Sequence, residues 1–105
     1  MTCTLAVACE NDSVCPDFGN SPEFAVFEIL ENRINGLRKV SAAPGDDGHI
    51  ALLRELNAKV LLCDALESAA RAALEEAGIE IVDGQTGDII QAAGAFLMKL
   101  VRAGK

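Results

Sequence analysis

The chain has 105 residues, a length suited to one domain spanning 1–105 with its own hydrophobic core, so neither disulfides nor a structural metal is required for stability. Half of it is apolar, yet no run reaches the roughly 18 to 20 residues that cross a bilayer, and Met1-Thr2-Cys3-Thr4-Leu5 lacks the basic start of a signal peptide, so no membrane role and a cytoplasmic location are expected. A net charge of −7, with nine scattered Lys and Arg residues, repels phosphate backbones and argues against nucleic acid as a partner.

In chain order, the apolar run Thr4-Leu5-Ala6-Val7-Ala8-Cys9, closed by Glu10-Asn11-Asp12-Ser13, predicts a strand buried on both faces. A long loop over residues 10–22 follows, which Phe18 can anchor to the body. β-prone runs at 24–30 and 34–40 predict a hairpin. Its turn is either Asn35-Gly36, the stronger type I′ pair, or Glu31-Asn32-Arg33, which leaves strands of more equal length and is preferred. Ala43-Pro44-Gly45-Asp46-Asp47-Gly48 then breaks the chain.

Three helices interleaved with two short strands complete the pattern: a helix over about 49–57, a strand at 59–63, a helix, a strand at 79–82, and a helix over about 88–102 with Ile90, Ala93, Leu97 and Val101 inward. The middle helix presents Leu66, Ala69, Ala70, Ala73, Leu74 and Ala77 on one face. Asp64 is its expected N-cap, Glu67 completes a capping box, and Gly78 supplies the left-handed stop.

A three-strand meander followed by helix, strand, helix, strand, helix gives an α/β fold with a mixed five-stranded sheet and a parallel half. If the fourth strand lies beside the first, the two create a topological switch point, where ligands favour the crevice at the strands' carboxyl ends. Cys15, Asp17, His49, Cys63 and Asp64 can converge there, together with helix amino ends that favour anions.

The four cysteines, Cys3, Cys9, Cys15 and Cys63, match no zinc-finger spacing; in a reducing compartment such thiols persist as buried hydrophobes, reactive groups or metal ligands. Cys15 is the best ligand candidate because its loop position gives burial no obvious reason. Cys9 and Cys63 end strands, where packing is the plainer account, and Cys3 alternates with Leu5 and Val7 as core. His49 either ligates metal or caps its helix. Asp17 is an oxygen ligand or a solvated carboxylate, and Arg33, Arg38 and Lys39 belong on an exposed face.

Val14-Cys15-Pro16-Asp17-Phe18-Gly19-Asn20-Ser21-Pro22, the strand Phe24-Ala25-Val26-Phe27-Glu28-Ile29, Gly48-His49 opening a helix, and the run from Ala72 to Val82 occur in an order and spacing that resemble the dinitrogenase iron-molybdenum cofactor biosynthesis family, the NifX-type nitrogenase accessory factors. The resemblance covers nearly the whole chain. It implies a ribonuclease H-like motif and a non-catalytic protein that binds, carries or helps insert an iron-sulfur or molybdenum-containing cluster, with a cluster donor or acceptor protein as partner. Cys15, His49 and Cys63 are then the candidate metal ligands, and Asp17 and Asp64 further cofactor-binding positions. Asp17 stands where the family commonly has a His before Phe-Gly, and Cys63-Asp64-Ala65-Leu66 replaces its glycine-rich turn.

Two other functions fit the residues. Asp12, Asp17, Asp64 and Asp83 at strand ends suit metal-dependent phosphoryl transfer or nuclease chemistry, although no phosphate-gripping basic cluster accompanies them. A regulatory protein-binding module that has lost the cluster site is the third.

Overall fold

The computed structural model describes residues 3–42 and 45–103. Its centre is β1 (Cys3–Glu10), in which Leu5 to Cys9 are fully buried. Small and β-branched side chains suit this position because both faces of the strand are covered. β1 pairs antiparallel with β3 (Glu23–Leu30) on one side and parallel with β5 (Val60–Leu62) on the other. With β4 (Arg33–Ser41) outside β3 and β6 (Glu80–Val82) outside β5, the sheet runs β4-β3-β1-β5-β6.

The expected five strands are joined by a sixth, β2 (Ser13–Val14), inside the segment read as loop. Asn11 and Asp12 both take positive φ, 51° and 65°, and this tight turn folds Ser13 and Val14 back onto Glu10 and Cys9. The same device closes the next hairpin at Glu31-Asn32, with φ 51° and 65°, at the preferred turn. Asn35-Gly36 instead lies within β4, where the pairing shifts from Glu28↔Gly36 to Ile29↔Ile34. Asn35 is thus the extra residue of a bulge.

Alternation sorts the strand residues onto two cores. Leu5, Val7, Phe27, Ile29 and Leu62 face α3 (Ile89–Ala103), whereas Ala6, Ala8, Phe24, Val26 and Leu61 face α1 (Asp46–Glu55) and α2 (Ser68–Glu76). No helix among the described residues is long and apolar enough to cross a membrane.

The helix boundaries depart from expectation for local reasons. α1 begins three residues before His49, after Gly45 at φ 116°, and ends before Asn57 at φ 60°. α2 begins at Ser68 behind Glu67, because Ala65 is held as an extended residue against Asp17; Asp64 therefore does not cap it. Starting later, α2 buries Ala70 and Leu74 but leaves Ala69 and Ala77 exposed, and Gly78 at φ 83° stops it as expected. In α3 the Asp88 carboxylate accepts from the Ile90 and Gln91 N–H groups, the bonds of an N-cap. That start turns Ile89 inward and leaves Ile90 54% exposed, contrary to expectation, while Ala93 and Leu97 are buried; the Val101 side chain lies outside the described residues.

Phe27→Ala, which empties a ring-sized volume between sheet and α3, should cost about 3 to 5 kcal/mol in urea unfolding. Leu37→Ala, at the paired position on β4 but 43% exposed, should stay within about 1 kcal/mol.

Candidate functional site

Because β1, β5 and β6 are mutually parallel, their carboxyl ends share one edge, and backbone hydrogen bonds stitch the loops there together. Gln85 N–H donates to Cys63 O and Gly84 N–H to Asp64 O, both at 3.0 Å. Cys15 N–H donates to Ala8 O at 2.9 Å, and Ala65 exchanges bonds with Pro16 O and Phe18 N–H at 3.2 and 2.9 Å. The chain leaves β1 for β3 on one side and returns as β5 on the other, so this edge is the switch point anticipated from topology.

The parallel bridge Asp17↔Ala65 sets Cys15 and Cys63 at corresponding positions on the two segments, each two residues before the bridge, and both side chains enter the same buried cluster. Cys15 is 3% exposed, so burial does account for it, against the expectation from its loop position. Its thiol donates to Asp17 O at 3.3 Å, and Glu10 Oε1 lies 4.0 Å away. Cys63 is fully buried; desolvation first, and the Asp83 carboxylate second, push its thiol up to about 11. Cys9, also buried, bonds Glu23 Oε2 at 3.4 Å, and desolvation raises it too. Cys3 is only partly buried against the α3-side cluster. All four thiols are free.

His49 sits in the first half of α1 with no exposed surface. Its Nε2 lies 2.8 Å from Ser21 O, so Nε2 carries the proton, and Nδ1 has no partner among the described residues. Phe18 and Phe24 contact the imidazole edge-on, with centroids 5.4 and 5.2 Å away. Ser21, equally buried, donates to Glu23 O at 2.7 Å and accepts from Cys9 N–H at 3.1 Å. Ser21 and Glu10 were not among the sequence candidates; a polar residue beside a loop proline carries no signal of such burial.

The carboxylates are mostly occupied. Asp17 caps its own 3₁₀ turn, Phe18–Asn20, accepting from Gly19 N–H at 3.2 Å and Asn20 Nδ2 at 2.7 Å. Asp12 pairs with Lys39 and Asp83 with Arg71, while Asp64 is half-buried at the edge. Among the described residues no group of three His, Cys, Asp or Glu side chains is arranged to hold a metal ion. The edge thus carries Cys15 and Cys63 in one buried cluster, bridges Asp17 to Ala65, and turns His49 toward Ser21.

A central strand with one antiparallel and one parallel neighbour, and helices on both faces of the sheet, define a mixed α/β domain. Residues 1–99 match the family model for dinitrogenase iron-molybdenum cofactor proteins, and the chain belongs to that family. No curated protein matches the sequence. Among solved structures it is similar to PH0822 (TM-score 0.85, 23% identity, 91% of each chain covered). The apo orange protein of Desulfovibrio gigas (0.80, 22%, covering 94% of this chain and 90% of that one) and a candidate dinitrogenase of Methanocaldococcus jannaschii (0.79, 15%, 94% and 91%) are also similar. At these identities the likeness is one of fold.

Two measurements check this geometry. Alkylation of the native protein near neutral pH, mapped by mass spectrometry, should label half-exposed Cys3 well before buried Cys15 and Cys63. Because the folded Cys63 thiol lies above its ordinary value of 9.0, its contribution to stability is complete below about pH 9 and lost as pH rises toward about 11; urea midpoints of wild type should fall across that window more steeply than those of Cys63→Ala.

Proposed function

We propose that this chain is a small non-catalytic accessory protein, one cytoplasmic domain over residues 1–105, that takes up an iron-sulfur or molybdenum-containing cluster as cargo and passes it between a donor and an acceptor protein. The observation that carries the reading is the pair of reduced thiols, Cys15 and Cys63, at the switch-point edge of a member of a cofactor-biosynthesis family. Thiolates suit iron and molybdenum centres, and an imidazole is a compatible third donor, so Cys15, Cys63 and His49 are the proposed ligands with Asp17 and Asp64 at the rim. The likeness to the orange protein, and to a candidate NifB protein of Thermotoga with TM-score 0.68, supports the same reading. The strand order β4-β3-β1-β5-β6 supports assignment to the ribonuclease H-like motif.

The donors have fitting chemistry but a closed geometry. Both thiols and the imidazole are buried, so uptake requires the segment 15–22 to move outward, giving up the His49–Ser21 bond. Thiol ionisation on metal binding then offsets the desolvation that holds Cys63 protonated. The closed donor set equally favours a second reading, a protein-binding module without a cluster.

Anaerobic reconstitution with iron, sulfide and molybdate, followed by metal analysis and visible spectroscopy, tests the choice. Stoichiometric metal with charge-transfer absorption, strongly reduced in Cys15→Ala and Cys63→Ala, is the expected result. A folded wild-type protein that takes up no metal would favour the protein-binding module.

A further inference from the structure

The far side of the sheet offers a separate surface. β4 pairs only with β3 among the described residues, so its outer edge presents backbone N–H and C=O groups that no strand covers. Beside it an open groove of about 380 Å³ is lined by Asn32, Arg33, Ile34, Gly94, Leu97 and Met98. Ile34 is 39% and Met98 57% exposed, and Leu37, on the same side of β4 by its pairing with Phe27, is also exposed.

Charge says what covers this surface. β4 contains Arg33, Arg38 and Lys39, the described side chains of α3 include Lys99, and neither set includes an Asp or Glu, in a chain of net charge −7. Lys39 is engaged by Asp12, and Glu31 at the turn has its own interaction within the chain. Across the bulge, Ile34 and Leu37 lie on the α3 face of β4, whereas Arg38, paired with Val26, lies on the other. Glu28 shares that second face, one strand further in. A strand added to β4 therefore meets apolar side chains on one face and guanidinium on the other. A second copy of this chain fits poorly, because self-pairing through β4 would gather the Arg33 and Arg38 side chains of both copies in one patch.

We propose that the β4–α3 groove docks an extended segment of a partner protein in which apolar and acidic residues alternate. The segment pairs with β4, sets its apolar side chains against Ile34, Leu37 and Met98, and directs its carboxylates toward Arg33 and Arg38. The inference does not depend on cluster binding, and metal-free protein suffices to test it.

The probes are two fluorescein-labelled peptides as long as β4, one alternating Val with Glu and one alternating Val with Lys. In anisotropy titrations the Glu peptide should bind saturably and at least about tenfold more tightly than the Lys peptide. Its binding should weaken by a similar factor in Arg33→Glu/Arg38→Glu and in Gly94→Leu. The latter builds into the groove from a position where an added Cβ meets nothing within 4 Å, and an unchanged circular dichroism spectrum and urea midpoint should accompany its loss of binding. Amide shifts in NMR spectra should map to β4 and α3. Equal binding of both peptides, no saturable binding, binding undiminished in the variants, or self-association through β4 in sedimentation would each overturn the proposal.

Discussion

Leu5, Ala6 and Val7 pair in parallel with Val60, Leu61 and Leu62, and the whole carboxyl edge hangs on that pairing. The antiparallel partner of β1 on its other side is β3, so successive connections must leave in opposite directions. Parallel pairing is tolerated only where both faces are covered, and here α3 closes one face while α1 and α2 close the other. The strand residues are correspondingly apolar without a polar alternation. Beyond the end of that ladder the chain after β5 makes a separate parallel bridge, Ala65 to Asp17, which ties it to the segment that carries Cys15.

Closure of that edge rests on polar groups buried at their limit. His49 and Ser21 have no exposed surface, and each compensates its desolvation by bonding backbone: Nε2 to Ser21 O, and the serine hydroxyl to Cys9 and Glu23. Nδ1 is the remainder, a buried ring nitrogen without a partner among the described residues. Phe18 and Phe24 pack edge-on against the same ring. The segment 15–22 is therefore tied to β1, to the chain after β5 and to the chain after β4 by backbone bonds, and to α1 through His49.

How much was legible in the sequence follows from which forces were local. Gly78 declares itself because left-handed backbone is a property of single residues, the Glu31-Asn32 turn because it leaves two strands of matched length, and the apolar runs declare strands because burial on both faces leaves no polar position. Asp64 misled because its capping pattern is local, whereas Ala65 is claimed by a bond to Pro16 from far away in sequence. Cys15 misled for the same reason: the tie from its N–H to Ala8 turns a loop position into a core position. Ile90 went outward because Asp88 set the helix phase by one residue. The candidate site was legible as a neighbourhood, since topology alone gathers those loops, while the state of its donors depended on tertiary contacts such as Ser21 to His49 that no spacing encodes.

The two edges of the sheet are chemically unlike. β6 carries Glu80 and is followed by Asp83, while β4 carries its three cations and is bulged at Asn35. Charges and bulges are the usual means of keeping an edge strand from pairing with its own kind, and here they also select by sign what can pair instead. β4 meets solvent over nine residues but β6 over three, so the longer template for a partner lies at the basic edge. The thiol-bearing end belongs to β1, β5 and β6, whose carboxyl termini it caps, and the groove beside β4 opens near the Glu31-Asn32 turn, where β3 ends and β4 begins. Since β3 runs antiparallel to β1, that turn lies at the opposite end of the sheet from the thiols. The groove end of β4 is thus remote from the thiols, whereas its other end, Ser41, lies opposite Glu23 and is followed by Ala42, whose N–H donates to Pro22 O, so a strand paired along all of β4 would run from the groove to the border of segment 15–22.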